Sequence, residues 1–373
     1  MIAINDKSRC CGCGACSQRC PHGSITLGED EQGFLYPKVN PETCVDCLLC
    51  EQVCPCLNEG VTRGTLHAFA AVNPDETERM ASSSGGIFSL LARDVISRGG
   101  MVFGARFDDQ WNVLHDCAET MEDLSRFMGS KYVQSVIGDS YRRVENCLKQ
   151  GREVLFSGTP CQIAGLRLFL RKDYDRLLML EVACHGVPSP KLWQEYLHLM
   201  AGENHISEVN FRNKSTGWRD YSVQIGEKTR RHDDDEFIGC FLGDYSLRPS
   251  CFNCRFKAGQ SGADITLADF WGIGAIAPHL DDDRGTSLIV VNSAKGMTCL
   301  NRCGVKCEEI DYPRALKANP SLEHSSSKPA DYDAFWRQFV EKNPRRVILK
   351  YGRRHRPGLV IRLKRFIASI LRK

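Results

Sequence analysis

Residues 10–21 read CCGCGACSQRCP, and residues 44–55 read CVDCLLCEQVCP. Cys10, Cys13, Cys16 and Cys20 precede Pro21; Cys44, Cys47, Cys50 and Cys54 precede Pro55. Both runs have the spacing C-x2-C-x2-C-x3-C-P, the bacterial ferredoxin pattern. Three thiols spaced by two on a tightly turning loop reach three corners of one cubane. The fourth, displaced and followed by proline, points to the other cubane. A first [4Fe–4S] cluster is therefore assigned to Cys10, Cys13, Cys16 and Cys54, and a second to Cys44, Cys47, Cys50 and Cys20. Gly12 and Gly14 leave room for backbone N–H groups near the sulfides. Zinc is the alternative, but it favours separated CxxC pairs or cysteine mixed with histidine. Cys11 and Cys56 fall outside the pattern and are read as non-ligands.

Ten of the 20 cysteines lie before residue 57, marking a first domain over residues 1–63 with a linker near residues 58–64. The full 373 residues suggest two or three domains, at roughly 150 residues each. Residues 1–9 lack the apolar stretch of a signal peptide. The most apolar stretch, residues 87–102, is broken by Arg93, Asp94, Arg98, Gly99 and Gly100, so no membrane span is expected. Cysteines clustered this way, without export signals, point to metal binding in a reducing cytoplasm. Residues 345–373 hold 11 Lys or Arg and no acid, which leaves an excess of eight acids in the rest of the chain. The expected layout is an acidic body with a basic tail.

Residues 64–343 alternate strand and helix patterns. Strands are expected over 66–72, 101–107, 153–156, 177–182, 206–211 and 286–291. Helices are expected over 86–97, 139–150, 161–171 and 190–200. This alternation predicts an α+β chain, a ferredoxin-like domain followed by a mixed α/β domain. In residues 344–373, Leu359, Leu363, Phe366, Ile367 and Ile370 fall on one helical face. The tail reads as a basic amphipathic helix able to lie on anionic lipid, or to dock on the acidic body. No nucleic-acid motif accompanies it.

Several motifs occur in a fixed order: Ser82-Ser83-Ser84-Gly85-Gly86, Lys131-Tyr132-Val133-Gln134-Ser135, Ser157-Gly158-Thr159-Pro160-Cys161-Gln162 and Cys184-His185-Gly186-Val187-Pro188-Ser189. They are followed by Phe211-Arg212-Asn213-Lys214, Gly217-Trp218, Cys251-Phe252-Asn253-Cys254 and residues 264–272, DITLADFWG. Together they resemble the coenzyme F420 hydrogenase/dehydrogenase beta-subunit family over residues 64–310, in which a ferredoxin front is a common partner domain. The resemblance implies FAD in the middle domain, a further [4Fe–4S] cluster beside it, and electron exchange with a two-electron substrate. A flavin couples one-electron carriers to two-electron chemistry. No G-x-G-x-x-G occurs, so no Rossmann nicotinamide site is expected.

Within the resemblance, Ser82, Ser83, Ser84, Gly85 and Gly86 lead into a helix and become candidates for the FAD pyrophosphate. An ordinary N-cap is the alternative. Gly158, Thr159 and Gln162 are further cofactor candidates. Cys161, Cys184, Cys251 and Cys254 are the set for the third cluster, against the reading of Cys161 and Cys184 as packed thiols. His185 is a candidate proton donor or a turn histidine. Lys131 is a candidate flavin or phosphate contact, or a solvated helix end. Arg212, Lys214 and Arg219 could hold an anionic substrate or form a polar loop. Trp271 reads as core. Cys299, Cys303 and Cys307 read as packing residues on a helix or its end.

The expected function is an iron–sulfur flavoprotein oxidoreductase acting on an organic small molecule, with ferredoxin or another electron carrier as partner. Coenzyme F420 as the substrate, and a non-catalytic electron-transfer subunit, are the rival readings. A cytoplasmic location is expected, with peripheral membrane contact through the tail.

Overall fold

The computed structural model describes residues 1–202, 204–356 and 358. The ferredoxin part opens with a helix at Ala15–Arg19, a hairpin of β1 (Ile25–Glu29) and β2 (Leu35–Val39), and a second short helix at Leu49–Gln52. Next come β3 (His67–Ala71), β4 (Met101–Phe107), β5 (Val113–Ala118), β6 (Val154–Gly158) and β7 (Leu177–Val182). Then follow β8 (Val209–Asn213), β9 (Ser222–Ile225), β10 (Lys228–Arg231), β11 (Ile265–Asp269), β12 (Ser287–Val291) and β13 (Cys307–Glu309).

Among the described residues the main sheet has eight strands in the order β13-β3-β12-β11-β7-β6-β4-β5. Its centre, β11-β7-β6-β4, is parallel, and the outer pairings are antiparallel. A parallel centre needs cover on both faces, and the sequence supplies apolar residues for each. Phe103, Val154, Phe156, Leu177 and Met179 face the helices Ser140–Lys149 and Pro160–Leu170. Their neighbours Val102, Leu155, Leu178 and Leu180 face the helices Ile87–Ser97 and Ala294–Arg302. The carboxyl ends of β4, β6, β7 and β11 share one edge. β3, two antiparallel steps from β11, ends there too.

The ferredoxin part is fastened to this body. Phe34 is fully buried beside Trp336, with ring centroids 6.1 Å apart. Cys13 lies on the helix Pro160–Leu170 at Gly165, where an added Cβ would meet the Cys13 Cβ at 2.8 Å. The expected linker is also tied down, since Arg63 N–H donates to Gly259 O at 3.0 Å and Thr62 Oγ1 to Gln260 Oε1 at 2.8 Å.

The segment assigned to the tail starts differently from its expectation. Pro344–Gly352 is a helix whose Val347, Ile348 and Tyr351 are buried with Phe237 and Phe335. Its apolar face is spent on the core, so residues 344–352 belong to the body. The amphipathic pattern at residues 359–370 lies outside the described residues. No helix among the described residues is long and apolar enough to cross a membrane.

Candidate metal centres and the sheet edge

The second quartet is the most open. Cys20, Cys44, Cys47 and Cys50 all line one cavity, with Met1, His22, Ser24 and Ile25. Cys20 already accepts the Ser24 N–H at 3.3 Å. Burial opposes its thiolate, but hydrogen bonds from the backbone of His22 and Ser24 outweigh this and hold its pKa below the ordinary thiol value. Cys47 is exposed, and so are Val45 and Leu48 around it.

In the first quartet Cys13, Cys16 and Cys54 are buried and Cys10 is half-buried. Cys16 is pushed up to about 12, first by desolvation and then by the neighbouring Cys10 and Cys54. Cys13 is pushed up to about 11, with desolvation and the charges of Cys54 and Cys16 outweighing a hydrogen bond from Cys11. Four thiols that raise one another in an apolar setting are poor anions alone and strong ligands for a cationic centre.

The third quartet gathers from three elements. Cys161 opens the helix after β6, Cys184 follows β7, and Cys251 and Cys254 come from the turn Pro249–Asn253 and its cap. Burial raises Cys184, and the nearby Cys251, Cys161 and Cys254 raise it further. Cys251 is pushed up to about 12, and Cys254 to about 11, mainly by desolvation. Cys161 differs: a hydrogen bond from Cys11 brings it down to about 7, helped by Thr159 and Arg248. The four expected ligands thus share one neighbourhood, which the sequence left open against separate packed thiols. The donor sets of all three quartets suit [4Fe–4S] clusters. No three His, Cys, Asp or Glu side chains among the described residues close around a single metal ion.

Two buried cations flank these sulfurs. Lys257 Nζ donates to Cys184 O at 2.6 Å and to Ser321 O at 2.7 Å. Arg248 is fully buried and donates to Cys10 O at 2.7 Å, Gln134 Oε1 at 3.0 Å and Leu35 O at 2.9 Å. Its guanidinium lies 4.2 Å from the Tyr36 ring centroid. Gly12, at φ 73°, is required here because an added Cβ would meet Arg248 Nη1 at 2.8 Å. A buried acid completes the setting: burial raises Glu181 to about 7, close to Cys161 and Lys257.

The other candidates spread along the carboxyl edge. None of the three serines caps the helix Ile87–Ser97, whose N-cap is Gly86 at φ 81° with no side-chain bond. Ser82 Oγ donates to Glu78 O at 2.8 Å, Ser84 Oγ to Thr286 O at 2.9 Å, and Ser83 Oγ accepts the Ser130 N–H at 2.6 Å. The last bond brings this loop to Lys131. Lys131 is half-buried, not a solvated helix end, and donates to Met128 O at 3.0 Å and Gly129 O at 3.1 Å. Desolvation brings it down to about 7. Thr159 and Gln162 form a capping box, and Gln162 Nε2 donates to Ser135 Oγ at 2.9 Å. The carbon of Gly158 faces Gln162, with 3.2 Å to an added Cβ.

His185 Nε2 lies 2.6 Å from Asp244 Oδ1, and the ring stands edge-on to Phe241. The Lys214 ammonium donates to three carbonyls, of Arg79 (2.8 Å), Ser84 (2.7 Å) and Arg284 (2.8 Å), so it staples the serine loop and has no donor left for a substrate. Arg219 pairs with Asp281. Arg212 is buried against Asp269 at 2.7 Å and over the Tyr221 ring at 4.2 Å. Trp271 stacks on Trp218 at 4.8 Å, as a core pair. Cys299 lies on a helix and Cys303 caps it, while Cys307 opens β13.

His115 was not singled out by any motif. It is buried, 2.9 Å from Ser135 Oγ and 3.1 Å from Ser157 O, and desolvation brings it down to about 4. The unfolded chain therefore binds a proton near pH 6.5 that the folded chain refuses until about pH 4. This contribution is complete above pH 6.5 and is lost as pH falls toward 4. Between about pH 7.5 and 5 it amounts to about 2 kcal/mol. His115→Gln should show a flatter fall of Tm over that range than the wild type. Parallel curves would show that His115 is not the source.

Two family matches cover parts of the chain. Residues 151–312 match the family described as the C-terminal part of the coenzyme F420 hydrogenase/dehydrogenase beta subunit. Residues 9–58 match the 4Fe–4S dicluster domain. The coenzyme F420-dependent sulfite reductase of Methanocaldococcus jannaschii is 24% identical over 340 residues, covering 84% of this chain and 50% of the relative. The chain thus spans half the length of that relative. An uncharacterised ferredoxin of the same organism is 38% identical over 52 residues, 14% of this chain and 66% of the ferredoxin. Among solved structures, a chain of the F420-reducing [NiFe] hydrogenase complex from Methanosarcina barkeri matches with TM-score 0.48 and 16% identity, over 70% of this chain and 93% of that one.

Proposed function

We propose that this chain, whose residues 151–312 belong to the coenzyme F420 hydrogenase/dehydrogenase beta-subunit family behind a dicluster ferredoxin domain, is an iron–sulfur flavoprotein oxidoreductase. It exchanges electrons between an external carrier protein, such as a ferredoxin, and an organic small molecule. One observation supports the reading: four half-buried cysteines, Cys161, Cys184, Cys251 and Cys254, lie near one another where the parallel strands end. Electrons delivered to the ferredoxin part thus have a station inside the body, at the edge where α/β proteins bind ligands.

The residues proposed to hold FAD are the uncapped helix start at Gly86 with the serine loop before it, and Lys131 beside that loop. When bound, FAD would exchange single electrons for an electron pair. His185, oriented by Asp244, is the proposed proton donor for the substrate, because its imidazole is half-exposed next to Cys184. Lys131, with its amine near neutrality, is proposed to contact the cofactor.

A second reading has its own support. The chain spans half of the sulfite reductase relative, which is called F420-dependent, so it would suit an F420-oxidising unit or an electron-transfer subunit with a separate partner. Anaerobic purification with iron, sulfide and flavin quantification tests the proposal. About twelve irons, at four per cluster, with one FAD are expected. About eight irons and no flavin after reconstitution would overturn it. Reduction of added deazaflavin by the isolated chain would favour the second reading.

A further inference from the structure

Cys11 lies outside the ferredoxin spacing, yet it is the residue on which two quartets converge. It is buried in one core with Cys13, with Cys56, Cys161 and Cys254 packed against it. Cys13 belongs to the first quartet, and Cys161 and Cys254 to the third, so the core that buries Cys11 is shared by both. Cys56 also packs against the cluster that holds Cys54 of the first quartet. Cys11, Cys56 and Cys254 also line a single cleft between the ferredoxin part and the turn at residues 250–256. The docking of Cys13 against Gly165 fixes this junction, since the helix that carries Gly165 begins with Pro160 and Cys161.

We propose that the thiol of Cys11 is the contact through which electrons cross between the first and third quartets. The order from outside to inside is then second, first, third. The proposal rests on the three-cluster reading above. The second quartet lines an open cavity with Cys47, Val45 and Leu48 exposed, which suits docking of an external carrier. Cys16 and Cys54 of the first quartet are buried beside Cys50 of the second. Sulfur is large and polarizable, and a buried thiol packed between the two quartets fills part of the gap between them. In the step itself one electron leaves the cluster held by Cys10, Cys13, Cys16 and Cys54, and one arrives at the cluster held by Cys161, Cys184, Cys251 and Cys254. No bond forms or breaks, and the Cys11 proton stays in place.

The test uses the full-length chain, loaded anaerobically, mixed with dithionite and freeze-quenched for electron paramagnetic resonance. The signal absent from Cys251→Ala identifies the third cluster. Cys11→Ala is expected to keep the wild-type iron content and midpoint potentials, while the third-cluster signal appears about tenfold more slowly. Cys56→Ala, which removes the less buried thiol of the same cleft, is expected at the wild-type rate. Cys11→Ser, a near-isosteric change, is expected to fold normally and to be faster than alanine. An unchanged rate in Cys11→Ala overturns the proposal. So does a loss of about four irons there, which would make Cys11 a ligand, and so does equal slowing in Cys56→Ala. About eight irons in the wild type would instead fail the three-cluster reading itself, and the crossing with it.

Discussion

Cys251→Ala is expected to lower the iron content from about twelve to about eight per chain, at four irons per cluster, and to leave the two ferredoxin clusters in place. The expectation follows from where the ligands come from. Both ferredoxin quartets are drawn from residues 10–54, around the hairpin β1–β2 and two short helices. The third quartet needs the start of the helix after β6, the loop after β7, and the 251–254 turn together. Removing one corner leaves three thiols, of which burial keeps Cys184 and Cys254 protonated, so metal binding loses its geometry and much of its charge. Electron delivery to any acceptor at the sheet edge should then fail, while dithionite still reduces the ferredoxin part. Cys303→Ala is the control, because Cys303 caps the helix Ala294–Arg302 with its thiol directed at Leu90 O and Cys299 O. It should keep about twelve irons. The same count in Cys251→Ala would remove Cys251 from the ligand set.

Local signals were read well from the sequence. The expected strand 101–107 is β4, and 177–182 is β7; the helix expected over 190–200 is Pro190–Ala201. These segments carry their own instructions, with continuous apolar runs for buried strands and Ser189-Pro190 as a start signal whose serine caps Leu192 N–H at 3.1 Å. Contacts between distant segments were much less legible. The strand β5 passed unnoticed, since its polar His115 and Asp116 interrupt the apolar pattern. Lys214 reads equally as a cation for an anionic substrate or as part of a polar loop, and its three carbonyl partners lie at residues 79, 84 and 284. The helix Pro344–Gly352 read as tail because its arginines dominate the composition, while Val347, Ile348 and Tyr351 suffice for one buried face. Cys11 falls outside the cluster spacing, and spacing cannot report that Cys161, 150 residues away, packs on the core that buries it.

Arg248→Met should have the largest effect of any change at a residue with no sulfur. Nothing in the sequence near Arg248 marks it, yet it joins the ferredoxin part to the body through both charge and hydrogen bonds. Its three acceptors are Cys10 O, Gln134 Oε1 and Leu35 O, the second of them in a buried bond, and each acceptor left unsatisfied costs about 1–3 kcal/mol. A loss of about 3–5 kcal/mol is expected, in the range seen when buried charge networks are broken. The charge acts separately. Desolvation opposes the guanidinium, but Tyr36, Cys10, Cys11 and Cys251 nearby favour it, so its pKa lies above the usual arginine value. The residue therefore stays cationic between the first and third quartets. A fixed positive charge favours the more reduced, more negative state of a cluster, so its removal should lower the potentials of both. A shift of about 60 mV, one tenfold step for a one-electron couple, is a reasonable size. Arg248→Lys separates the two roles. Lysine keeps the charge but cannot fan three donors across one plane. It should therefore retain the potentials while losing much of the stability. Redox titration followed by spectroscopy, together with Tm, reads both quantities on the same samples. If Arg248→Met leaves both potentials unchanged, the guanidinium is only a structural bolt. If Arg248→Lys is as stable as the wild type, the hydrogen-bond fan is not what joins the ferredoxin part to the body.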